Sequence, residues 1–384
     1  MKMLIKRIVV AAVIGCSLFT LQSCFREEIP EPQQVICGAD YSGHPSHSRY
    51  TEALRQYTDA SAAPGSIIGV KKIGEPAWVG TDGYSNLEHR TKISSCTPFR
   101  SGSISKLFTA VMIMKFVENG QLTLDKTIAQ LLPEISDRIS KADKITVRQL
   151  LNHTSGLGHP TDDDRNYQLT LINNPNYIAS LTYKERLERY VFDRPLHHEP
   201  GTDSYYSNAG YWVLGLMIEK LSGQRVEEYL NTAITQPLGL TETYLARREN
   251  SRVSRGYNFS GDVLQDVTKW DSADSDGDPA AGLISTAEDL LTFSEALFTY
   301  QILQAPTLNL MLQTTSFPSC NGDCGYGLGI ESWKTESNFG YGKNGFSMGV
   351  DANIIFFPNK NTSIVIFSNF GGGNSKECID KILQ

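Results

Sequence analysis

Three short groupings of residues in this chain have the types and spacing to do chemistry together. The first is Phe99-Arg-Ser-Gly-Ser103-Ile-Ser-Lys106. With a helix starting at Ser103, the Ser103 hydroxyl and the Lys106 ammonium lie one turn apart on one face, where the amine can take or return the serine proton. The helix N-terminus adds unpaired N–H groups and a positive dipole end, which favour developing negative charge. The lysine must be neutral to act as a base, and burial near another cation lowers its pKa. The second grouping, Tyr206-Ser-Asn208, sits in a turn leading into a helix and can aim a phenol and an amide into one cleft. The third is Lys343-Asn-Gly345. Each is common taken singly: Ser-x-x-Lys also describes a capping serine and a surface lysine, while Tyr84-Ser-Asn86 and Lys72-Ile-Gly74 repeat the other two patterns.

Other candidates are set aside on their spacing. His153, in Asn152-His-Thr-Ser-Gly-Leu157, reads as structural. His197-His198-Glu199 lacks the i, i+4 spacing of helical metal ligands, so no metal site is expected. Asp162-Asp163-Asp164 reads as a solvated loop without the spaced ligands of a calcium loop. Val111, Met112, Met114 and Phe116 read as core.

The elements that must hold these groupings fall into two kinds. Residues 48–60 look helical, Ser66–Lys71 is a strand after the Pro64-Gly65 break, and a further strand lies around Trp78–Thr81. Ala352–Phe357 and Ser363–Phe367 form a strand pair joined by the turn Pro358-Asn-Lys-Asn361. A short helix, Lys376–Leu383, closes the chain. Between the ends, Ile104–Asn119 is apolar nearly all round and stops at Gly120, the pattern of a buried helix. Val147–Leu151, Tyr211–Leu221 and Val226–Leu230 are helical, and Ala287–Phe298 follows a Ser285/Thr286 cap. Strands at both ends with helices between predict an α/β fold: one antiparallel sheet built from both ends of the chain, flanked by helices, with an all-helical lobe inserted at about 105–300. The cleft between sheet and lobe is the natural place for a site.

The N-terminus reads as an export signal. Lys2, Lys6 and Arg7 precede the apolar Ile8–Phe19, too short for a comfortable membrane span. Leu21-Gln22-Ser23-Cys24 resembles a bacterial lipobox, which implies a signal peptide over 1–23, lipidation at Cys24 and a membrane-anchored exported protein. Residues 24–47 then form a tether and 48–384 the functional domain. Loss of residues 1–23 leaves 32 basic against 42 acidic side chains, a net charge of −10, and an acidic chain without a basic patch argues against nucleic acid as partner. Export permits disulfides. Cys320 and Cys324 are spaced for a small loop closure; the odd number of remaining cysteines leaves at least one unpaired, and the other pairings stay open.

Ser103-x-x-Lys106, then Tyr206-x-Asn208, then Lys343-x-Gly345 is an order that resembles the penicillin-recognising serine hydrolases, in particular the branch with class C β-lactamases, D-alanyl-D-alanine carboxypeptidases and related esterases. The similarity extends through FRSGSISKLFTAVMIMKFVENGQLTLD, ITVRQLLNHTSGL, PGTDSYYSNAGYWVLGLMIEKLSG and PAAGLISTAEDL, roughly residues 50–380. It makes Tyr84 and Lys72 structural, since both precede Ser103. The resemblance implies a β-lactamase/transpeptidase-like fold and no metal or organic cofactor. It implies that Ser103 is acylated, that Lys106 and Tyr206 exchange the proton, and that Asn208 holds Lys106 and the acyl side of the substrate. The oxyanion would meet the N–H groups of Ser103 and of Phe346, the residue after Gly345. Substrates of the family include small esters, peptides ending in a D-amino acid and β-lactams; an acyltransferase passing the acyl group to an alcohol or amine, and a non-catalytic sensor lipoprotein, are the alternatives. Many esterase-like members carry His-x-Gly where this chain has Lys343-Asn344-Gly345, and penicillin-binding members Lys-Thr-Gly. Lys343 is therefore expected to favour the Tyr206 phenolate and to attract a free carboxylate on the substrate.

Overall fold

The structure is a computed structural model that describes residues 37, 39–245, 250–317, 324–372 and 375–384. The chain divides into two units, Met1–Glu31 and Pro32–Gln384. The first, with the expected signal segment and Cys24, lies outside the described residues, and the second carries everything below.

The strands are β1 (Gly65–Lys72), β2 (Trp78–Asn86), β3 (Thr91–Lys92), β4 (Phe99–Arg100), β5 (Tyr257–Ser260), β6 (Val263–Asp266), β7 (Ile284–Ser285), β8 (Thr315–Ser316), β9 (Cys324–Tyr326), β10 (Glu331–Lys334), β11 (Phe339–Phe346), β12 (Asp351–Phe357) and β13 (Thr362–Ser368). Among the described residues, nine of them form one antiparallel sheet in the order β3-β2-β1-β13-β12-β11-β10-β9-β8. The N-terminal strands thus join the C-terminal ones through the β1–β13 ladder, with Ser66 opposite Ser368 and Lys72 opposite Thr362. Successive residues of a strand face opposite sides, and here both sides are apolar. Ile67, Ala352, Ile354, Val365 and Phe367 pack toward the helices of the inserted lobe. Ile68, Ile355, Phe357, Ile364 and Ile366 pack against the terminal helices His47–Ser61 and Ser375–Leu383. That explains the unbroken apolar runs Ile354–Phe357 in β12 and Ile364–Phe367 in β13.

The lobe's central element is the helix Ile104–Glu118, from which only Lys115, Val117 and Glu118 escape burial. Gly120, at φ +72°, follows its end. The lobe departs from the all-helical expectation. It also contains the β5–β6 hairpin, closed by Gly261-Asp262 with Gly261 at φ +62°, and β7, paired with β4 just ahead of Ser103. A disulfide joins Cys37 to Cys96. Cys378 is a buried free thiol. Cys324 is disulfide-bonded, while Cys320 lies outside the described residues.

Candidate active site

Ser103 stands at the head of the Ile104–Glu118 helix, and from Ser101 to Met114 it is the one residue that is not buried. The turn that presents it is pinned from behind. Ser101 N–H donates to the Leu283 carbonyl (2.8 Å), and the Arg100 guanidinium makes a two-pronged pair with Asp276 at 2.8 and 3.0 Å. One turn on, Lys106 is 0% exposed. Its Nζ lies 3.1 Å from Ser103 Oγ, 2.7 Å from Asn208 Oδ1 and 2.9 Å from the Ala280 carbonyl. Three acceptors fill the donor capacity of an ammonium. A neutral amine would keep two donors for Asn208 and Ala280 and turn its lone pair to the Ser103 hydroxyl. Burial pushes the Lys106 pKa down; Tyr206 opposes this and Lys343 adds to it, leaving Lys106 below the ordinary lysine range.

Tyr206 and Asn208 reach the cleft from the helix Asn208–Ser222, which begins three residues earlier than the sequence pattern suggested. Ser207 is its cap, accepting the Gly210 N–H. The Tyr206 ring lies 4.7 Å from Lys106 Nζ and 5.6 Å from Lys343 Nζ, measured to its centroid. Burial raises its pKa, but the two ammonium groups and hydrogen bonding outweigh that and set the phenol below its ordinary value. His153 supports this segment: its carbonyl accepts the Tyr205 N–H (2.8 Å) and its Nδ1 the Ser207 N–H (3.1 Å), with its ring 4.2 Å from that of Tyr206. Burial holds His153 well below the ordinary histidine range, in the neutral form that such acceptance requires.

The third grouping lies on β11. Gly345 crosses directly over the serine turn: a Cβ there would fall 1.9 Å from the Ser101 carbonyl oxygen and 3.1 Å from Ser103 N. A Cβ on Gly102 would meet Phe346 N at 3.1 Å. The backbone N–H groups of Ser103 and Phe346 are thereby brought into one small region, while the Phe346 side chain, 60% exposed, stands outside it. Ser103, Tyr206, Asn208, Asn344 and Phe346 line a single cavity of about 960 Å³.

Lys343 requires a correction. It was expected to offer its charge to a substrate carboxylate, yet it is 0% exposed and ion-paired to Glu331 at 2.5 Å, with Asn344 Oδ1 at 3.1 Å. Burial alone would lower its pKa, but Glu331 and Tyr206 hold it above the ordinary lysine range. Its charge is fixed, turned toward Tyr206 and balanced by the Glu331 carboxylate, so it is not free to pair with a carboxylate on the substrate.

The decoys lie elsewhere. Lys72 pairs with Glu75 on an exposed edge, and Tyr84 is covered by Lys92. His197 bonds Asp163 and His198 bonds the Glu199 carbonyl. Sequence reasoning missed Glu331, Asp276 and Asp278. The last accepts the Trp212 indole N–H and the Ala281 N–H (3.2 Å), holding the turn whose Ala280 carbonyl anchors Lys106. The signal was present as the aspartate-rich run Asp271-Ser-Ala-Asp-Ser-Asp276-Gly-Asp278, set against an apolar neighbourhood.

Comparison with known proteins fits this geometry. Protein flp of Staphylococcus aureus (strain MRSA252) is 28% identical over 234 residues, 59% of this chain and 44% of that protein, so the chain spans less than half the length of this relative. Penicillin-binding protein 4 of Amycolatopsis lactamdurans is 25% identical over 350 residues, 86% of this chain and 87% of that protein. A D-stereospecific amidohydrolase from Streptomyces sp. superposes with a TM-score of 0.76 and 26% identity, covering 88% of this chain and 98% of its own. The sequence model of the family described as Beta-lactamase matches residues 51–384. With the mixed fold built on a large antiparallel sheet, that match places the chain in the beta-lactamase family.

Proposed function

We propose that this chain is a serine hydrolase that works through an acyl-enzyme at Ser103. The observation that carries the proposal is the placement of Lys106 Nζ, 3.1 Å from Ser103 Oγ and held there by Asn208 and the Ala280 carbonyl. Neutral Lys106 takes the Ser103 proton as Oγ attacks an acyl carbonyl. Tyr206, with its lowered pKa, exchanges the proton with Lys106 and delivers it to the leaving group. The N–H groups of Ser103 and Phe346 meet the oxyanion; losing one such donor costs about 2.7–4 kcal/mol of transition-state stabilisation. Lys343, paired to Glu331, sets the potential at Tyr206 and does not touch the substrate. Asn208, at the cavity wall, also faces the acyl group.

The substrate is a small ester, amide or β-lactam. The similarity to a protein described as a D-stereospecific amidohydrolase supports placing amides of D-amino acids beside nitrophenyl esters and nitrocefin in a substrate panel. A fluorophosphonate should label the full-length protein at Ser103, located by peptide mass spectrometry, and Ser103→Ala should abolish both labelling and turnover. Failure to label with a fluorophosphonate, a labelled penicillin or an activated ester would sink the proposal. We also propose that Cys24 carries the lipid anchor of an exported protein. Cys24→Ala should then release the protein from the membrane fraction, and unchanged membrane association would refute it.

A further inference from the structure

The residues that follow Phe346 are held in place from outside the sheet. Ser347 N–H donates to the Val350 carbonyl (2.9 Å), closing a short turn between β11 and β12. On one flank, Asn258 Nδ2 of β5 donates to the Met348 carbonyl at 2.6 Å. On the other, Gly349 N–H donates to Asp271 Oδ2 at 2.9 Å. Asp271 belongs to the helix Thr268–Ser275, is 3% exposed, and lines the same cavity as Ser103.

The fit of this turn leaves little room for movement. A Cβ on Gly349 would fall 2.6 Å from Val267 Cγ2 and 2.7 Å from the Gly256 backbone. A Cβ on Gly256 would fall 2.8 Å from Asp271 Oδ2. Two glycines and one carboxylate thus meet without a gap. The same stretch of chain supplies Asp276 to Arg100, just before Ser103, and Asp278 to the turn at Ala280. Three buried aspartates within eight positions therefore each tie down a different part of the site. Asp276 and Asp278 are explained by the serine turn and by Lys106; Asp271 has no such partner in the proton-transfer machinery. Its carboxylate instead accepts the Gly349 N–H, in the turn that continues directly from the proposed oxyanion donor.

We propose that Asp271 is a positioning residue for the oxyanion site: its carboxylate fixes the Ser347–Val350 turn and, through it, the direction of the Phe346 N–H. The inference rests on the reading of Ser103 as the acylated nucleophile. A donor serves catalysis only when aimed at the position the oxyanion will occupy, and that charge exists only in the transition state. Loosening the turn should therefore lower kcat and leave KM nearly untouched. Removing an oxyanion donor altogether costs on the order of a hundredfold or more in kcat, so a donor that is merely loosened should cost about tenfold.

The test uses the full-length protein and p-nitrophenyl butyrate. Wild type is measured first against Ser103→Ala; absence of Ser103-dependent turnover would overturn the reading of the site and this inference with it, before Asp271 is altered. With turnover established, Asp271→Ala should lose about tenfold or more in kcat with KM within about twofold. Asp271→Asn keeps an acceptor oxygen in the same place and should recover most of that loss, which a merely space-filling role would not predict. Wild-type kcat in Asp271→Ala, an effect confined to KM, or an Asp271→Asn as impaired as the alanine variant would each overturn the inference. If Asp271→Ala does not fold, Asn258→Ala removes the other bond to the same turn. A drop in kcat at constant KM supports the inference, and wild-type kcat overturns it.

Discussion

Replacing Asn208 with aspartate puts a full carboxylate where an amide oxygen now accepts Lys106 at 2.7 Å. The change keeps the shape of the side chain and alters only charge. At that separation, with an effective dielectric of about 20, the attraction between unit charges is about 6 kcal/mol. The amide oxygen already supplies roughly half of that charge, which leaves a net gain of about 3 kcal/mol for the ammonium form, or about two pK units. Lys106 now lies below the ordinary lysine range because burial and Lys343 depress it; the aspartate would act against that depression. The neutral fraction of Lys106 at pH 7, and with it kcat/KM, should fall by about a hundredfold. The loss should be recoverable, because the acid limb of the pH–rate profile moves up by about two units instead of the plateau collapsing. The assay is p-nitrophenyl ester hydrolysis from pH 5 to 10, with Ser103→Ala as background. A hundredfold loss at every pH, with the limb unmoved, would mean that the Asn208 amide serves the reaction otherwise than by setting the charge on Lys106. Undiminished activity at pH 7 would remove neutral Lys106 from the proton transfer.

Three further outcomes follow from the same geometry. Lys343→Ala should lose activity equally on an anionic substrate and on its neutral ester, because the ammonium is buried and paired to Glu331; a selective loss on the anionic substrate would show that Lys343 does bind a substrate carboxylate. Gly345→Ala must place a methyl 1.9 Å from the Ser101 carbonyl oxygen, so thermal unfolding should show a destabilisation of about 3 kcal/mol together with a lower kcat; wild-type stability would mean that β11 and the serine turn separate easily. Burial pushes the Asp271 carboxyl up to about 7 from its ordinary 3.8, against the pull of Arg100, whose own partner is Asp276, and with Asp274 adding to the rise. A folded pKa raised above the unfolded one contributes stability that is complete below about pH 4 and lost as pH rises through about 7. Denaturant unfolding of wild type relative to Asp271→Asn should therefore lose up to roughly 4 kcal/mol between those values, and a pH-independent difference would refute the shift.

Much of the scaffold was legible because its reasons are local. Ile104–Glu118 announces itself by apolar residues on every side and a glycine after its end, and β12 and β13 by apolar runs around a Pro-Asn turn. β11 was not read, although it carries the third grouping. Phe339-Gly-Tyr-Gly-Lys-Asn-Gly-Phe346 has three glycines and two polar residues, a composition that speaks against a strand. The glycines answer a tertiary demand: Cβ atoms at Gly342 and Gly345 would strike the Ile354 and Ser101 carbonyl oxygens at 1.9 Å. Lys343 was assigned a role facing the substrate for a related reason. Nothing near it in sequence hints at Glu331, which reaches it from β10 across the ladder. The β5–β6 hairpin could have been found, since Gly261-Asp262 between Tyr257–Ser260 and Val263–Asp266 is a two-residue turn of the usual kind. The start of the helix at Asn208 could also have been found, from Ser207 as its cap.

The pairing of β1 with β13 has a consequence for how this protein becomes active. Gly65 N–H donates to the Asn369 side chain across 304 positions of sequence, and the strand that passes over the Ser103 turn lies between them near the far end. Contacts of such separation close late, because the loop entropy must be met before they reward it. The helix Ile104–Glu118 can coil as soon as it is made, yet the N–H groups proposed to receive the oxyanion come together only when residues 339–368 are in place. A partly synthesised chain would hold Ser103 and Lys106 without that pocket. Reactivity is in this way postponed until the sheet closes, and a chain ending before β13 should be inert toward acylating agents even where its helices have formed.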